Sequence, residues 1–362
     1  MQIKETEVKW ERVRNILREK KLDGVIINKI SNFAWFTGGN NFVAINTENG
    51  ASSLLVTEKK IYLVSNNIEA NRIKDEEIKK LPIDDIICQW YQDDQIFKMA
   101  EKIIGGKIGI DRPGENYEFV DISKIHLPLL DTEVERFKNL GQKVTKIVSK
   151  VCHEISCGMT EIQVAGNLAN YFWAAGTIPV VLLIAADERI SNYRHPVATD
   201  KKIEKYVMVV VCVYEKGLIV SMTRLVSFGK LPEEIKLKHK AVCQVDATFI
   251  SLTAPNRKIC DVFKSGIETY GKTGYPEEWK KHHQGGPCGY KTRYYRATEK
   301  STDIIKENYA FAWNPSITGT KSEDTIIVGK NGPEIITQDP QWPKIDIEVG
   351  GICIPRPDIL FR

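Results

Sequence analysis

Two apolar runs joined by a three-residue turn constrain this chain more than any other feature. Residues 206–214 read YVMVVVCVY, and residues 217–229 read GLIVSMTRLVSFG, with Glu215-Lys216-Gly217 between them. β-branched and aromatic side chains favour strands, and a short turn containing glycine between two such runs predicts an antiparallel hairpin. The segments around it follow the other period. Thr132 with Glu135 three residues later has the pattern of a capping box before an amphipathic run that reaches about Ile155. Gly158-Met-Thr160-Glu161 then predicts a helix end and a new helix over 162–175. A strand is expected at VVLLIA (180–185), and further helices at 232–252 and 259–270. From 305 to 355 the chain is rich in strands with Gly/Pro turns. Helices mixed with antiparallel strands predict an α+β domain.

The residues before this domain alternate differently. A helix over 8–21 leads into the short strand GVIIN (24–28), and strands follow at 50–57, 60–66 and 106–112, with a charged helix from about Asn67 to Lys80. That alternation predicts a smaller α/β domain, with the linker at His126-Leu-Pro-Leu-Leu, where Pro128 stops any helix from crossing. We place the two domains at 1–130 and 131–362. A length of 362 residues suits two or three domains.

Composition narrows the function classes. With 51 Lys+Arg against 47 Asp+Glu, the net charge of +4 gives no concentrated basic face, so nucleic acid is not an expected partner. No apolar run approaches the roughly 20 residues that span a bilayer, so no membrane partner is expected. The first 21 residues are charged and helical without an apolar signal region. The expectation is a cytoplasmic protein with reduced thiols. The eight cysteines form no CxxC pair, which argues against a zinc knuckle.

Several stretches then fall in one order. These are GMTE (158–161), RHP (194–196), Ser221-Met-Thr223-Arg224 with Gly229, His283-Gln-Gly-Gly-Pro-Cys-Gly, Phe311-Ala-Trp-Asn314, and Lys321-Ser-Glu323-Asp324-Thr325 with Gly332. Together they resemble the creatinase/prolidase/aminopeptidase P superfamily, and SNFAWFTGG (31–39) resembles its N-terminal domain. The resemblance covers essentially the whole chain. It implies a pita-bread fold for the second domain, preceded by a creatinase-type α/β domain. It also implies a homodimer in which the N-terminal domain of one subunit lies near the partner's pit, where Trp35 and Phe36 either contribute or stay in their own core.

The departures from the family pattern matter as much as the matches. Metallopeptidases of this superfamily hold two metal ions with two Asp, one His and two Glu. Here the second Asp position is Ser221, and the first, eleven residues earlier, is Val210. The histidine position is Pro287, one glutamate position is Asn314, and Glu323 alone survives. One carboxylate with no imidazole falls short of a dinuclear ligand set. The expectation is therefore no metal and no cofactor.

Creatinases hydrolyse without metal, using a histidine in the HP-like segment. By that resemblance His195 is the candidate acid/base, with a pKa suited to neutral pH. Glu323 either orients it or serves as a structural carboxylate. Of His282-His283, one is expected to face the pit and the other solvent, with His283 as the candidate for the pit. Asn314, Ser221, Arg224, Tyr294 and Arg296 are candidates for holding substrate. In the family pattern Arg224 is usually a structural partner, which is the other reading for it here, and Tyr294, Tyr295 and Arg296 could simply close the rim. Cys288 near the histidines could be a nucleophile or a buried filler, and Cys212, on the same strand face as Val210, leaves the same two readings. Asp187-Glu188-Arg189 either rims the pit or is solvated. Thr223 stands where a creatinase grips a guanidinium with glutamate, so a neutral or anionic small molecule fits better than creatine. The expected function is a metal-independent, creatinase-like hydrolase of a small amide-like C–N substrate. The alternatives are an inactive homologue that binds a small molecule, peptide or protein, and an Xaa-Pro peptidase, which the lost ligands disfavour.

Overall fold

The computed structural model describes residues 2–78, 81–113 and 117–362. They form two compact units, one ending at Leu127 and one spanning Pro128–Arg362. In the first, a six-stranded sheet runs in the order Asp84–Cys88, Ile61–Asn66, Asn49–Thr57, Gly24–Lys29, Ile108–Ile110, Glu118–Phe119. Gly24–Lys29 is antiparallel to Asn49–Thr57 and parallel to Ile108–Ile110. The continuous apolar run of Val25, Ile26 and Ile27 is fully buried, as expected of a central strand covered on both faces. Trp35 and Phe36 are core residues of this unit, with Trp35 stacked on His126 at 5.0 Å. The charged helix expected to begin near Asn67 is shorter, an α-turn at Ala70–Arg72 continuing as a π-turn over Ile73–Glu77. Its expected end at Lys80 lies outside the described residues.

The second unit is built on the hairpin. Tyr206–Glu215 pairs antiparallel with Leu218–Ser227 in unbroken register, and Lys216 takes a positive φ of 46° in the turn. Ile178–Ala186 adds to its other edge, and Leu360–Phe361 closes the four-stranded sheet. A second four-stranded sheet has the order Gly285–Cys288, Ala310–Trp313, Asp324–Gly329, Gly332–Ile335. Helices Asp131–Glu154, Glu161–Ala174, Glu233–Leu252 and Ile259–Lys272 pack around the sheets. Thr160 caps the second of these helices in a reciprocal capping box with Gln163. The first helix begins two residues before the position expected from Thr132. Leu130 is its cap, and the Glu133 carboxylate accepts the Leu130 N–H at 2.8 Å. Glu133 is recruited because its other oxygen accepts the buried Tyr290 hydroxyl at 2.6 Å, a tertiary contact that outweighs the local Thr132…Glu135 pattern.

The two sheets meet where the hairpin touches the segment 323–325. Thr223 N–H donates to the Glu323 carbonyl at 3.1 Å, and Thr325 Oγ1 donates to the Ser221 carbonyl while accepting its N–H. This seam aims Glu323 at the middle of the hairpin. Behind it lies a buried ionic cluster: Arg356 contacts Asp246 at 2.7 Å and Asp324 at 2.6 Å, and Arg224 contacts Asp324 at 3.0 Å.

Candidate active site

A cavity of about 530 Å³ opens over the hairpin, within the range usual for small-ligand sites. Its floor is apolar and follows from strand alternation. Val181 pairs with Cys212 and Leu183 with Val210, so four side chains lie together on one face. The walls carry the chemistry. His195 arrives on the loop after the short helix Glu188–Asn192, tied to the floor by the Leu183–Val197 bridge. His282 and His283 lie at the entry to Gly285–Cys288. Gly285 there has a φ of +97°, and a Cβ on it would stand 2.1 Å from the Ala312 carbonyl oxygen, so only glycine lets the two strands close. The return segment 292–296 folds back on that strand through Tyr294 N–H to Pro287 and Ala297 N–H to Gly285. It thereby brings Arg293 and Arg296 to the rim.

Glu323 does not stand free. Its Oε1 accepts Arg293 at 3.0 Å, and its Oε2 accepts Lys321 at 2.7 Å and Thr223 Oγ1 at 2.7 Å. Burial works to raise its pKa, but Lys321 and Arg293 outweigh burial and hold the carboxyl below the usual range. Glu323 is a fixed anion that positions two cations. Arg296 makes no hydrogen bond or ion pair among the described residues, and it also lines the cavity. The cavity thus carries three cations, Arg293, Arg296 and Lys321, against one carboxylate.

The histidines form a cluster that sequence reading only partly anticipated. His195 and His283 both line the cavity. His282, of which solvent exposure was the expected alternative, is 8% exposed, and its Nε2 lies 3.2 Å from the His195 Nε2. Its Nδ1 lies 3.3 Å from Ser316 Oγ. The ring centroids of His282 and His283 are 4.6 Å apart. Burial, followed by nearby cations, lowers all three pKa values: His283 to about 4, His282 well below the usual histidine range, and His195 below its ordinary value. At neutral pH the rings are uncharged, and each offers a lone pair.

The other candidates separate cleanly. Tyr294, Tyr295, Arg296 and Asn314 line the cavity, and Asn314 Oδ1 is buried with no hydrogen-bond partner. Two expected substrate contacts are not there. Arg224 is buried away from this cavity on Asp324 and on the carbonyls of Thr223 and Thr337. Ser221, the cross-strand partner of Cys212, does not line the cavity: its hydroxyl donates to Cys212 Sγ and accepts from Arg293. The Cys288 thiol is buried outside the cavity, and burial pushes it up to about 12, so it is no nucleophile. Cys212 shares the floor, but burial raises its thiol too. Asp187 holds the amides of residues 204–206, and Arg189 pairs with the buried Glu161, which makes that charged run structural. Lys321 and Arg293 were missed. The first had a signal: Lys321 and Glu323 are two apart in an extended segment, and so share a face.

The model for metallopeptidase family M24 matches residues 135–330, more than half of the chain, and the creatinase/prolidase N-terminal domain model matches residues 9–129. The chain belongs to metallopeptidase family M24. Its fold is that family's pita-bread arrangement, preceded along the chain by a creatinase-type domain, as the resemblance implied. An Xaa-Pro dipeptidase of Pyrococcus horikoshii is 22% identical over 91% of this chain and 97% of its own length. The crystal structure of the prolidase from that organism superposes with a TM-score of 0.79 at 20% identity, covering 91% of this chain and 98% of its own. An Xaa-Pro dipeptidase from Bacillus anthracis gives a TM-score of 0.80 at 19% identity, covering 99% and 100%. Such likeness to solved structures speaks for the fold. For an M24 chain the fit of a metal pair has to be tested on the residues present. Val210 and Pro287 offer no donor atom, the Ser221 hydroxyl is engaged by Cys212 and Arg293, and both Glu323 oxygens already hold cations of the chain itself. The donor set does not fit two bridged dications.

Proposed function

We propose that this chain is a metal-independent hydrolase that cleaves an amide-like C–N bond in a small anionic molecule, with His195 as the acid–base group. The observation that carries this reading is the clamp on Glu323. Where the family pattern places metal-ligating carboxylates, Lys321 and Arg293 converge on the one that remains. Their charge, with that of Arg296, is left to face the ligand. Relatives named as Xaa-Pro dipeptidases support hydrolysis of a C–N bond.

Each group then has a defined task. The cations bind the anionic group of the substrate and stabilise negative charge developing on the carbonyl oxygen. Neutral His195 accepts a proton from the attacking water as the C–O bond forms. It returns that proton to the leaving nitrogen as the C–N bond breaks. His282, hydrogen-bonded to His195 and held by Ser316, fixes the ring. Asn314, with a buried unpaired amide oxygen, completes the polar contacts to substrate.

The test is a thermal-shift screen of N-acyl amino acids, dipeptides and ureido acids beside their neutral amide counterparts, followed by product analysis. A ligand raises the melting temperature by mass action whether or not it is turned over. Carboxylate-bearing compounds should stabilise, their neutral counterparts should not, and a hit should yield acid and amine. Stabilisation without product would establish the binding-module alternative. Arg296→Ala should leave intrinsic stability within about 0.5 kcal/mol, as an exposed unpaired side chain does. It should weaken anionic hits roughly tenfold to a hundredfold, the value of one charge-assisted hydrogen bond. Equal stabilisation by neutral and anionic compounds would refute the substrate class.

A further inference from the structure

We propose that His195, His282 and His283 form a binding site for one divalent transition metal ion of the zinc type, apart from the paired-metal positions of the family, and that occupancy of this site inhibits the enzyme. The ligand atoms of the three rings lie within 4.8 Å of one another. The 3.2 Å between His195 Nε2 and His282 Nε2 is close to the separation of about 3.3 Å that two nitrogens take on a tetrahedral ion with bonds of about 2.0–2.1 Å. Convergence of the third ring requires His283 to turn toward the other two, whose centroids lie 5.9 Å (His195) and 4.6 Å (His282) from its own.

Two further observations point to a ligand. His283 Nδ1 is buried with no hydrogen-bond partner, a state that ligation through that atom relieves. On the far side of the second ring, the His282 Nδ1 is held by the Ser316 hydroxyl. That is the outer-shell contact by which proteins fix the tautomer and direction of a ligating imidazole. Three imidazoles suit zinc, cobalt or copper and not magnesium or calcium, which prefer oxygen donors. Lys321, Arg293, Arg296 and Arg194 all lie close enough to act on the cluster, with Glu323 opposing them. These cations oppose a bare dication, so the open fourth position takes an anion. None of the three histidines coincides with Val210, Ser221, Pro287, Asn314 or Glu323.

The binding half of the proposal stands on geometry alone, and the inhibitory half rests on the assignment of His195 as the acid–base group. A metal that takes the His195 Nε2, the nitrogen that faces His282, forces the proton of the neutral ring onto Nδ1, so no lone pair is left to accept the proton of the attacking water. A metal ion would then act in the opposite sense to its role in a metallopeptidase.

The experiment uses the full chain, stripped with a chelator and titrated with Co²⁺ in the presence of chloride, read by visible absorption and calorimetry. The expected result is one Co²⁺ per chain with the absorption of a four-coordinate ion, displaced by Zn²⁺. His282→Ala and His283→Ala should each abolish the signal, with melting curves confirming that the variants fold. Glu323→Gln should retain the stoichiometry, because that carboxylate is no ligand here. Absent or non-stoichiometric binding, or binding that survives both histidine variants, overturns the site, as does loss on Glu323→Gln in a folded variant. If a substrate is turned over, Zn²⁺ should inhibit along the binding curve. Turnover that ignores bound Zn²⁺ overturns the inhibitory half. Turnover without any metal binding overturns the site and leaves the hydrolase reading intact. Stoichiometric binding with no turnover of any compound does the reverse.

Discussion

His195→Gln is expected to lower kcat by about 10²–10⁴-fold, the usual contribution of a positioned acid–base group. Ligand-induced stabilisation should survive, because Arg293, Arg296 and Lys321, the cavity's cations, are the groups proposed to hold the anion, and this ring is not one of them. The wild-type pH profile supplies a second reading of the same residue. A general base works when unprotonated. His195 has its pKa lowered by burial, with Lys321 adding to the effect and Glu323 opposing it. Activity should therefore persist as the pH falls through the ordinary histidine value of about 6.5, and decline only below it. His195→Gln should remove that acidic limb from whatever activity is left. Turnover unchanged in the variant, or an acidic limb above pH 7, would remove His195 from the chemistry.

Arg356→Ala is expected to produce the largest loss of stability. Arg356 is fully buried, with contacts to Asp246 at 2.7 Å and Asp324 at 2.6 Å. Its removal strands two carboxylates in the core, although Asp324 keeps Arg224. Breaking a buried ion pair from one side typically costs about 3–5 kcal/mol, which for a domain of this size is a fall in melting temperature on the order of 10 °C. The sign of the pH dependence is set by Asp246, whose carboxyl burial pushes up to about 6 against the pull of Arg356. A carboxyl with a raised pKa favours the folded state while it is protonated, at acid pH, and loses that advantage as the pH rises through its folded value. The damage in Arg356→Ala should thus be smallest near pH 5 and grow above pH 6. A loss under about 1 kcal/mol at pH 7 would show that the cluster is hydrated or not formed.

The hairpin, the helix order and the two-domain plan were legible because they rest on local patterns: runs of β-branched residues, a turn glycine and the helix break at Gly158-Met-Thr160-Glu161. The site was legible where a residue type sits in a motif, as with His195, His283, Asn314 and Glu323. It was not legible where partners are remote. Arg293 reaches Glu323 across 30 residues, and nothing in its neighbours says so. Arg356 is an unremarkable residue near the chain's end until Asp246 and Asp324 are seen beside it. Neighbours along a strand face opposite sides, but His282 is buried beside His283 and does not face solvent. That rule needs a strand, and His282 and His283 lie just before one, with His195 approaching from a separate loop so that both rings stay within reach of it. Arg224 illustrates the reverse: a guanidinium near a pit invites a substrate role, but its buried partner Asp324 had already claimed it.

The most direct measurement of the central claim is the metal dependence of turnover on the best anionic hit from the thermal-shift screen. The chain is stripped by chelation, its metal content is checked by elemental analysis, and the product is quantified by mass spectrometry with and without added Mn²⁺ or Co²⁺. A cavity in which Lys321 and Arg293 supply the positive charge predicts full turnover by the stripped chain and no gain on adding metal. Loss of product on stripping, restored by two equivalents of metal and abolished again in Glu323→Ala, would contradict it.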